Sequence, residues 1–160
     1  MVLLQSTFTC LLEVTLSADF RLEKVRKIDG GHGVYFGLSR DREKIFAVAR
    51  NTDVNGHIVD ANYPTSTLIT VHSGKHWAIP ETRGLHQIRC HDGLVWLMNC
   101  RDPELVVFDP ERGSVIGTLS LAPLVPAELQ HPIPQEHPTD RYHFNSLFFM
   151  GGRLFLLAHN

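Results

Sequence analysis

Residues 85–102 read LHQIRCHDGLVWLMNCRD, and the fold prediction starts from them. It contains an apolar run, a tight turn at His91, Asp92 and Gly93, and a second apolar run, which is the pattern of a β-hairpin. The same unit occurs as VYFGLSRDREKIFAVARN at residues 34–51 and as HFNSLFFMGGRLFLLAHN at residues 143–160. A hairpin that recurs with a longer return between its copies is typical of repeated antiparallel sheets.

The residues that follow this hairpin complete one such sheet. Residues 105–119, LVVFDPERGSVIGTL, predict an apolar third strand, a turn and a return strand. Pro110 sets φ for the turn, and Gly113 tolerates a left-handed exit from it. Four antiparallel strands in each module, joined in chain order, are typical of the blades of a β-propeller.

Aligning the hairpin turns defines the modules. Glu43, Gly93 and Gly152 fall in register, at intervals of 50 and 59 residues. The sequence therefore predicts an all-β fold, an incomplete β-propeller of about two and a half to three blades of four-stranded antiparallel sheet. We expect residues 1–29 to form outer strands of a first blade, 30–83 and 84–120 to form two blades, 121–142 to form a proline-rich loop, and 143–160 to form an incomplete blade. So few blades indicate a fragment of a longer propeller, or a ring completed by another chain.

Composition excludes several classes of function. The net charge of −2 and the lack of a dense basic cluster argue against a nucleic-acid partner. No apolar run is long enough for a membrane span, and the N-terminus lacks the basic start of a signal peptide. Three cysteines, an odd number without CxxC spacing, indicate thiols in a reducing compartment. We therefore expect a cytoplasmic protein.

The candidate site residues come from the register of the modules. Ten histidines are scattered without HExxH or HxH spacing, so any histidine site must be assembled in space. Register places His86 and Asn145 near the starts of inner strands, at one mouth of the predicted channel, while His143 and His159 flank the third hairpin. A histidine bonded to a backbone carbonyl and an asparagine that caps a strand are the structural alternatives.

A family resemblance rests on two stretches, FNSLFFMGGRLFLLAHN at residues 144–160 and HQIRCHDGLVWLMNCRDPELVVFDPERGSVIG at residues 86–117. Both resemble blades of the six-bladed NHL and SMP-30/gluconolactonase-like propellers, in which a D-G or G-G turn separates two strands and the third strand closes with F-D. The resemblance implies the fold. The SMP-30-like enzymes hold a divalent metal in the channel. For this chain the resemblance therefore implies such a metal, with Asn145 at a ligand position and His86 and Phe36 at the equivalent places in the other two modules.

Two functions remain open from these observations. The leading hypothesis is a binding or scaffold module without a cofactor, which contacts a protein or a small molecule at a propeller face. The alternative is a metal-dependent lactonase, esterase or lyase, in which Asn145 and His86 hold a divalent metal in the channel. The apolar strand at residues 153–158 has no predicted partner on one side, and it therefore predicts self-association.

Overall fold

The computed structural model describes residues 1–6, 10–51, 57, 59, 65–71, 73–79, 82, 84–100, 102–126 and 144–158. Within these residues the chain forms thirteen strands and a short 3-10 turn at Ala122–Leu124. None of the helices in this part of the chain has the length and apolarity that crossing a bilayer requires. The predicted proline-rich loop falls mostly outside the described residues.

The N-terminal sheet has three antiparallel strands in chain order. They are β1 (Val2–Ser6), β2 (Cys10–Leu16) and β3 (Leu22–Gly30). The sequence predicts strands at residues 8–16 and 23–28, which correspond to β2 and β3, but it does not predict β1. The segment from Ser6 to β2 contains no glycine, proline, asparagine or aspartate, so no turn signal separates β1 from β2.

Two four-stranded antiparallel sheets follow, and each keeps the strands in chain order. The first contains β4 (Val34–Asp41), β5 (Lys44–Arg50), β6 (Ser66–Thr70) and β7 (Lys75–Ala78). The second contains β8 (Leu85–His91), β9 (Leu94–Asn99), β10 (Glu104–Asp109) and β11 (Ser114–Ser120). The predicted Asp-Gly turn joins β8 to β9, with φ of 51° at Asp92 and 76° at Gly93. Two positive φ angles are what a two-residue hairpin of type I′ requires.

The last sheet is a hairpin of β12 (Phe144–Met150) and β13 (Arg153–Ala158). Gly151 and Gly152 form its turn, with φ of 58° and 70°. Both strands match the sequence prediction.

Three apolar layers lie between successive sheets. The layer between the N-terminal sheet and the first four-stranded sheet contains Leu11, Tyr35 and Ile69. The layer between the two four-stranded sheets is built around Phe46 and Leu97. A third layer joins the second four-stranded sheet to the last hairpin. Strand β5 contributes Phe46 and Val48 to one layer and Ala47 and Ala49 to another. It is therefore buried on both faces, as a strand is when its sheet lies between two other sheets.

The two tryptophans lie between neighbouring sheets. Trp77 of β7 packs edge-on against Phe108 of β10, with ring centroids 5.4 Å apart. Trp96 of β9 packs against Phe149 of β12 at 5.2 Å. These contacts and the layered order confirm an all-β fold whose four-stranded antiparallel sheets are consistent with propeller blades.

The first strands of the last three sheets, β4, β8 and β12, lie beside one another, and we call them the inner strands. The backbone of β4 approaches that of β8 so closely at Gly37 that an added Cβ would lie 2.7 Å from the backbone nitrogen of Ile88. Between β8 and β12, Gln87 Oε1 accepts a hydrogen bond of 2.7 Å from the N–H of Leu147. Arg89 Nε donates to the carbonyl oxygen of Leu147 at 3.2 Å.

Candidate functional site

Each inner strand departs from regular pairing near its start. The register shifts fall between Tyr35 and Leu38 in β4, between Leu85 and Ile88 in β8, and between Phe144 and Ser146 in β12. Phe36, His86 and Asn145 therefore stand in three equivalent irregular segments. A β-bulge leaves residues outside the ladder and turns a side chain in a new direction, which is why bulges are frequent beside active sites.

The first two of these residues are in contact. The rings of Phe36 and His86 lie 5.0 Å apart at their centroids, tilted by 49°. The guanidinium carbon of Arg50, the last residue of β5, lies 4.4 Å from the centroid of the Phe36 ring. An aromatic face, an imidazole and a permanent cation thus meet at this end of the inner strands. We call Phe36, His86, Asn145 and Arg50 the bulge site.

Asn145 belongs to the bulge site by its equivalent position in β12, and its side chain offers a hydrogen-bond acceptor. Its side-chain oxygen is buried and has no hydrogen-bond partner among the described residues. Buried polar atoms in proteins nearly always have a partner, so such an atom points to a water molecule or a ligand. The other predicted candidates, His143 and His159, lie outside the described residues.

Asn99 shows the structural role that is the alternative for Asn145, an asparagine that caps a strand. It is fully buried at the end of β9. Its side-chain oxygen accepts a hydrogen bond of 3.1 Å from the N–H of Gly84, just before β8. Asn99 therefore links the residue before the inner strand β8 to the end of the neighbouring strand β9 through a hydrogen bond.

The opposite ends of two inner strands, β4 and β8, border a charged cleft of about 700 Å³. Three turns line it, those after β4, β8 and β10, with the side chains Asp41, Arg42, Glu43, Lys44, Asp92, Asp109 and Glu111 among others. One of these acids is used by its own turn, because Asp109 Oδ1 accepts the N–H groups of Glu111 and Arg112 at 2.9 and 3.1 Å. The cleft is open and polar, and sequence analysis did not single it out.

A third group of chemically active side chains lies between the N-terminal sheet and the first four-stranded sheet. Asp29 of β3, His32 of the β3–β4 connection and His76 of β7 bring one ligand atom each to within 4.8 Å of one another. The Nε2 atom of His32 lies 3.9 Å from Oδ1 of Asp29, and the two imidazole rings are 4.4 Å apart. Tyr35 donates a hydrogen bond of 3.0 Å from its hydroxyl to Oδ2 of Asp29. We call Asp29, His32 and His76 the seam cluster.

The surroundings of the seam cluster shift the pKa values of His32 and Tyr35. Burial lowers the pKa of His32, and the neighbouring His76 lowers it further, while Asp29 acts in the opposite direction. Burial raises the pKa of the Tyr35 phenol, and the hydrogen bond to Asp29 raises it further. The structure thus favours a neutral imidazole at His32 and a protonated phenol that donates to Asp29.

Sequence analysis missed the seam cluster because its members come from separate parts of the chain. The glycines on both sides of His32, Gly31 and Gly33, have φ of 96° and 98°, and glycines in such a segment indicate a turn rather than a metal site. His76 lies on β7, in a different sheet from Asp29. The sequence signal for a metal site was the spacing of Asp29 and His32 beside a strand end. This spacing is a weak signal when the third ligand is not known.

Comparison with known proteins identifies the fold. No family model and no curated protein matches this sequence. Among solved structures, the chain is similar to the crystal structure of glutaminyl cyclase from Myxococcus xanthus, with a TM-score of 0.58 and 15% identity. The likeness shows a β-propeller fold. The match covers 98% of this chain and 62% of that chain, so this chain spans less than two thirds of its length. The finer resemblance to NHL and SMP-30-like propellers stays a prediction.

Proposed function

We propose that this chain is a β-propeller binding module that holds a small carboxylate ligand at the bulge site. One observation carries the proposal: three neighbouring inner strands break register at equivalent positions, and these positions hold Phe36, His86 and Asn145. A bulge that recurs in three strands at the same place supports a shared role for the side chains that it redirects.

The chemistry of the bulge site defines the class of ligand. The guanidinium of Arg50 stays charged at any physiological pH and suits a carboxylate. The faces of Phe36 and His86 offer a surface for a flat apolar group. The Asn145 oxygen, which is buried, needs a donor from the ligand or from water. A small aromatic acid with a hydroxyl or amino group satisfies all three demands.

The second candidate is the metal-dependent lactonase, esterase or lyase. The same Asn145 oxygen supports it, because an uncharged oxygen donor can complete a divalent metal site. In that case a metal binds in proportion one to one, and Asn145→Ala removes it. The binding-module proposal predicts that Asn145→Ala weakens the carboxylate ligand whether or not metal is added.

The test uses 4-hydroxybenzoate as the probe, because it has a ring, a carboxylate and a hydroxyl donor. Saturation-transfer NMR and calorimetry should detect saturable binding, about tenfold weaker or more in Arg50→Gln, since charge-assisted hydrogen bonds are among the strongest polar contacts. Arg153→Gln is the matched control, because Arg153 is exposed on β13, away from the bulge site. Absence of saturable binding, or an equal loss in both variants, would overturn the proposal.

A further inference from the structure

The seam cluster is built as a metal site that is separate from the bulge site. We propose that Asp29, His32 and His76 bind one divalent transition metal ion of the zinc class. The donor set is two imidazole nitrogens and one carboxylate oxygen. Zinc, cobalt, nickel and copper suit such nitrogen-rich sites, whereas calcium and magnesium prefer sites made of oxygen atoms.

The distances fit closure around an ion with small movements. At zinc–ligand distances of about 2.0–2.2 Å, the ligand atoms of a tetrahedral site lie about 3.3–3.6 Å apart. Asp29 Oδ1 and His32 Nε2 are already 3.9 Å apart. The ligand atoms all lie within 4.8 Å of one another, and His76 is exposed on β7, so a rotation of its side chain can complete the site.

Tyr35 supplies the outer support that metal sites need. Its hydroxyl holds Oδ2 of Asp29 at 3.0 Å and leaves Oδ1 on the side of His32. Tyr35 is itself buried in the layer between the two sheets, so packing holds its ring, and with it the hydroxyl that donates this hydrogen bond, in place. Partners that orient a ligating group in this way raise metal affinity.

The backbone at His32 is constrained as well. Gly31 and Gly33 flank it with φ of 96° and 98°, a region that favours glycine. A side chain at Gly33 would collide with the carbonyl group of Arg50 at the end of β5. The position of His32 is therefore set by the first four-stranded sheet, and the site is largely formed before an ion arrives.

The seam cluster lies between two sheets, so an ion bound there affects the stability of the fold. Asp29 belongs to the N-terminal sheet and His76 to the outer strand of the next sheet. An ion that binds both fastens one sheet to the other, and it stabilises the folded chain because a ligand of the native state shifts the folding equilibrium. Three protein ligands leave a fourth position open beside the exposed His76, as in zinc sites that hold water.

The experiment is a calorimetric titration of the EDTA-treated and dialysed full chain with zinc chloride at neutral pH. Cobalt chloride serves as a second probe, because Co²⁺ in a tetrahedral site has strong visible absorption. We expect one ion per chain and a higher melting temperature with zinc. His76→Ala should weaken binding about tenfold or more, and Tyr35→Phe should weaken it about tenfold. His57→Ala is the matched control, because His57 is another exposed histidine and should change neither affinity nor stoichiometry.

Folding and binding are separated by the choice of variants. His76 is exposed, so His76→Ala should unfold as the metal-free parent does. Asp29→Asn is a second variant that keeps the size of the side chain and removes its charge, and it should also lose zinc. Zinc binding that is absent in the parent chain, or that keeps the parent affinity in His76→Ala, or that falls equally in His57→Ala, overturns the proposal. Binding of 4-hydroxybenzoate in His76→Ala reports on the bulge site independently.

Discussion

The N–H of Cys90 donates a hydrogen bond of 2.8 Å to the hydroxyl oxygen of Ser39 and so joins the inner strands of two sheets. The next pair of inner strands repeats this device, because the N–H of Leu147 donates to Gln87 Oε1. In both cases a side chain of one inner strand accepts from the backbone of the following one. The sheets are therefore fixed to one another by polar contacts as well as by their apolar layers.

Ser39→Ala tests the first of these contacts. Ser39 is buried, and its removal leaves the N–H of Cys90 without its acceptor. We expect a loss of about 1–3 kcal/mol in the free energy of unfolding, the usual cost of an unsatisfied buried donor. Urea denaturation followed by circular dichroism measures it. Ser114→Ala on the exposed side of β11 is the control, and it should stay within about 0.5 kcal/mol of the parent.

Gly37→Ala tests the close approach of β4 and β8. A methyl group there would lie 2.7 Å from the nitrogen of Ile88 and 2.9 Å from the carbonyl oxygen of His86, both backbone atoms. Because neither can move alone, we expect a chain that unfolds at a much lower temperature or fails to fold. Gly117→Ala is the control, since an added Cβ at Gly117 meets no atom within 4 Å. A melting temperature of Gly37→Ala equal to that of Gly117→Ala would contradict this.

Cys90 should react slowly with alkylating reagents. Burial raises the pKa of its thiol above the ordinary 9.0, and Asp41 raises it further, against the opposing effects of Ser39 and Arg89. The thiolate is the reactive form, so the rate should be low at neutral pH and should still be rising with pH at pH 9, the ordinary pKa of the thiol. Mass spectrometry of iodoacetamide-treated protein measures the rate at each pH. Because the raised pKa favours the protonated thiol in the folded state, its contribution to stability is present below pH 9 and is lost as pH rises through the folded-state pKa. A half-maximal rate below pH 8.5 would contradict the prediction.

The sequence predicted the repeat and its turns because these features are local. Asp92 and Gly93 specify a tight turn wherever they stand between apolar strands, and register then aligned His86 with Asn145. β1 was missed because no turn residue marks its end. The seam cluster depends on the position of the end of β3 relative to β7. No periodicity within either strand specifies that position.

Self-association through the last hairpin remains a prediction from the sequence, and the structure identifies residues for its test. Among the described residues, β13 pairs with β12 alone, so its other edge presents backbone groups to a neighbour. The outward face of the hairpin is apolar, with Phe148, Met150 and Leu157 exposed by 45%, 62% and 58%. An unpaired, apolar edge is suited to a second copy of the same chain.

We expect dimers or larger species at micromolar concentration, measured by light scattering after gel filtration. Leu157→Lys should shift the chain towards monomer, because a charge on the exposed face of β13 opposes docking of another strand. Val25→Lys is the control, since Val25 is similarly exposed, by 49%, but lies on β3 in the N-terminal sheet. A monomeric parent chain would contradict the prediction, and so would an equal effect of the two lysine variants, because the contact would then not depend on the last hairpin.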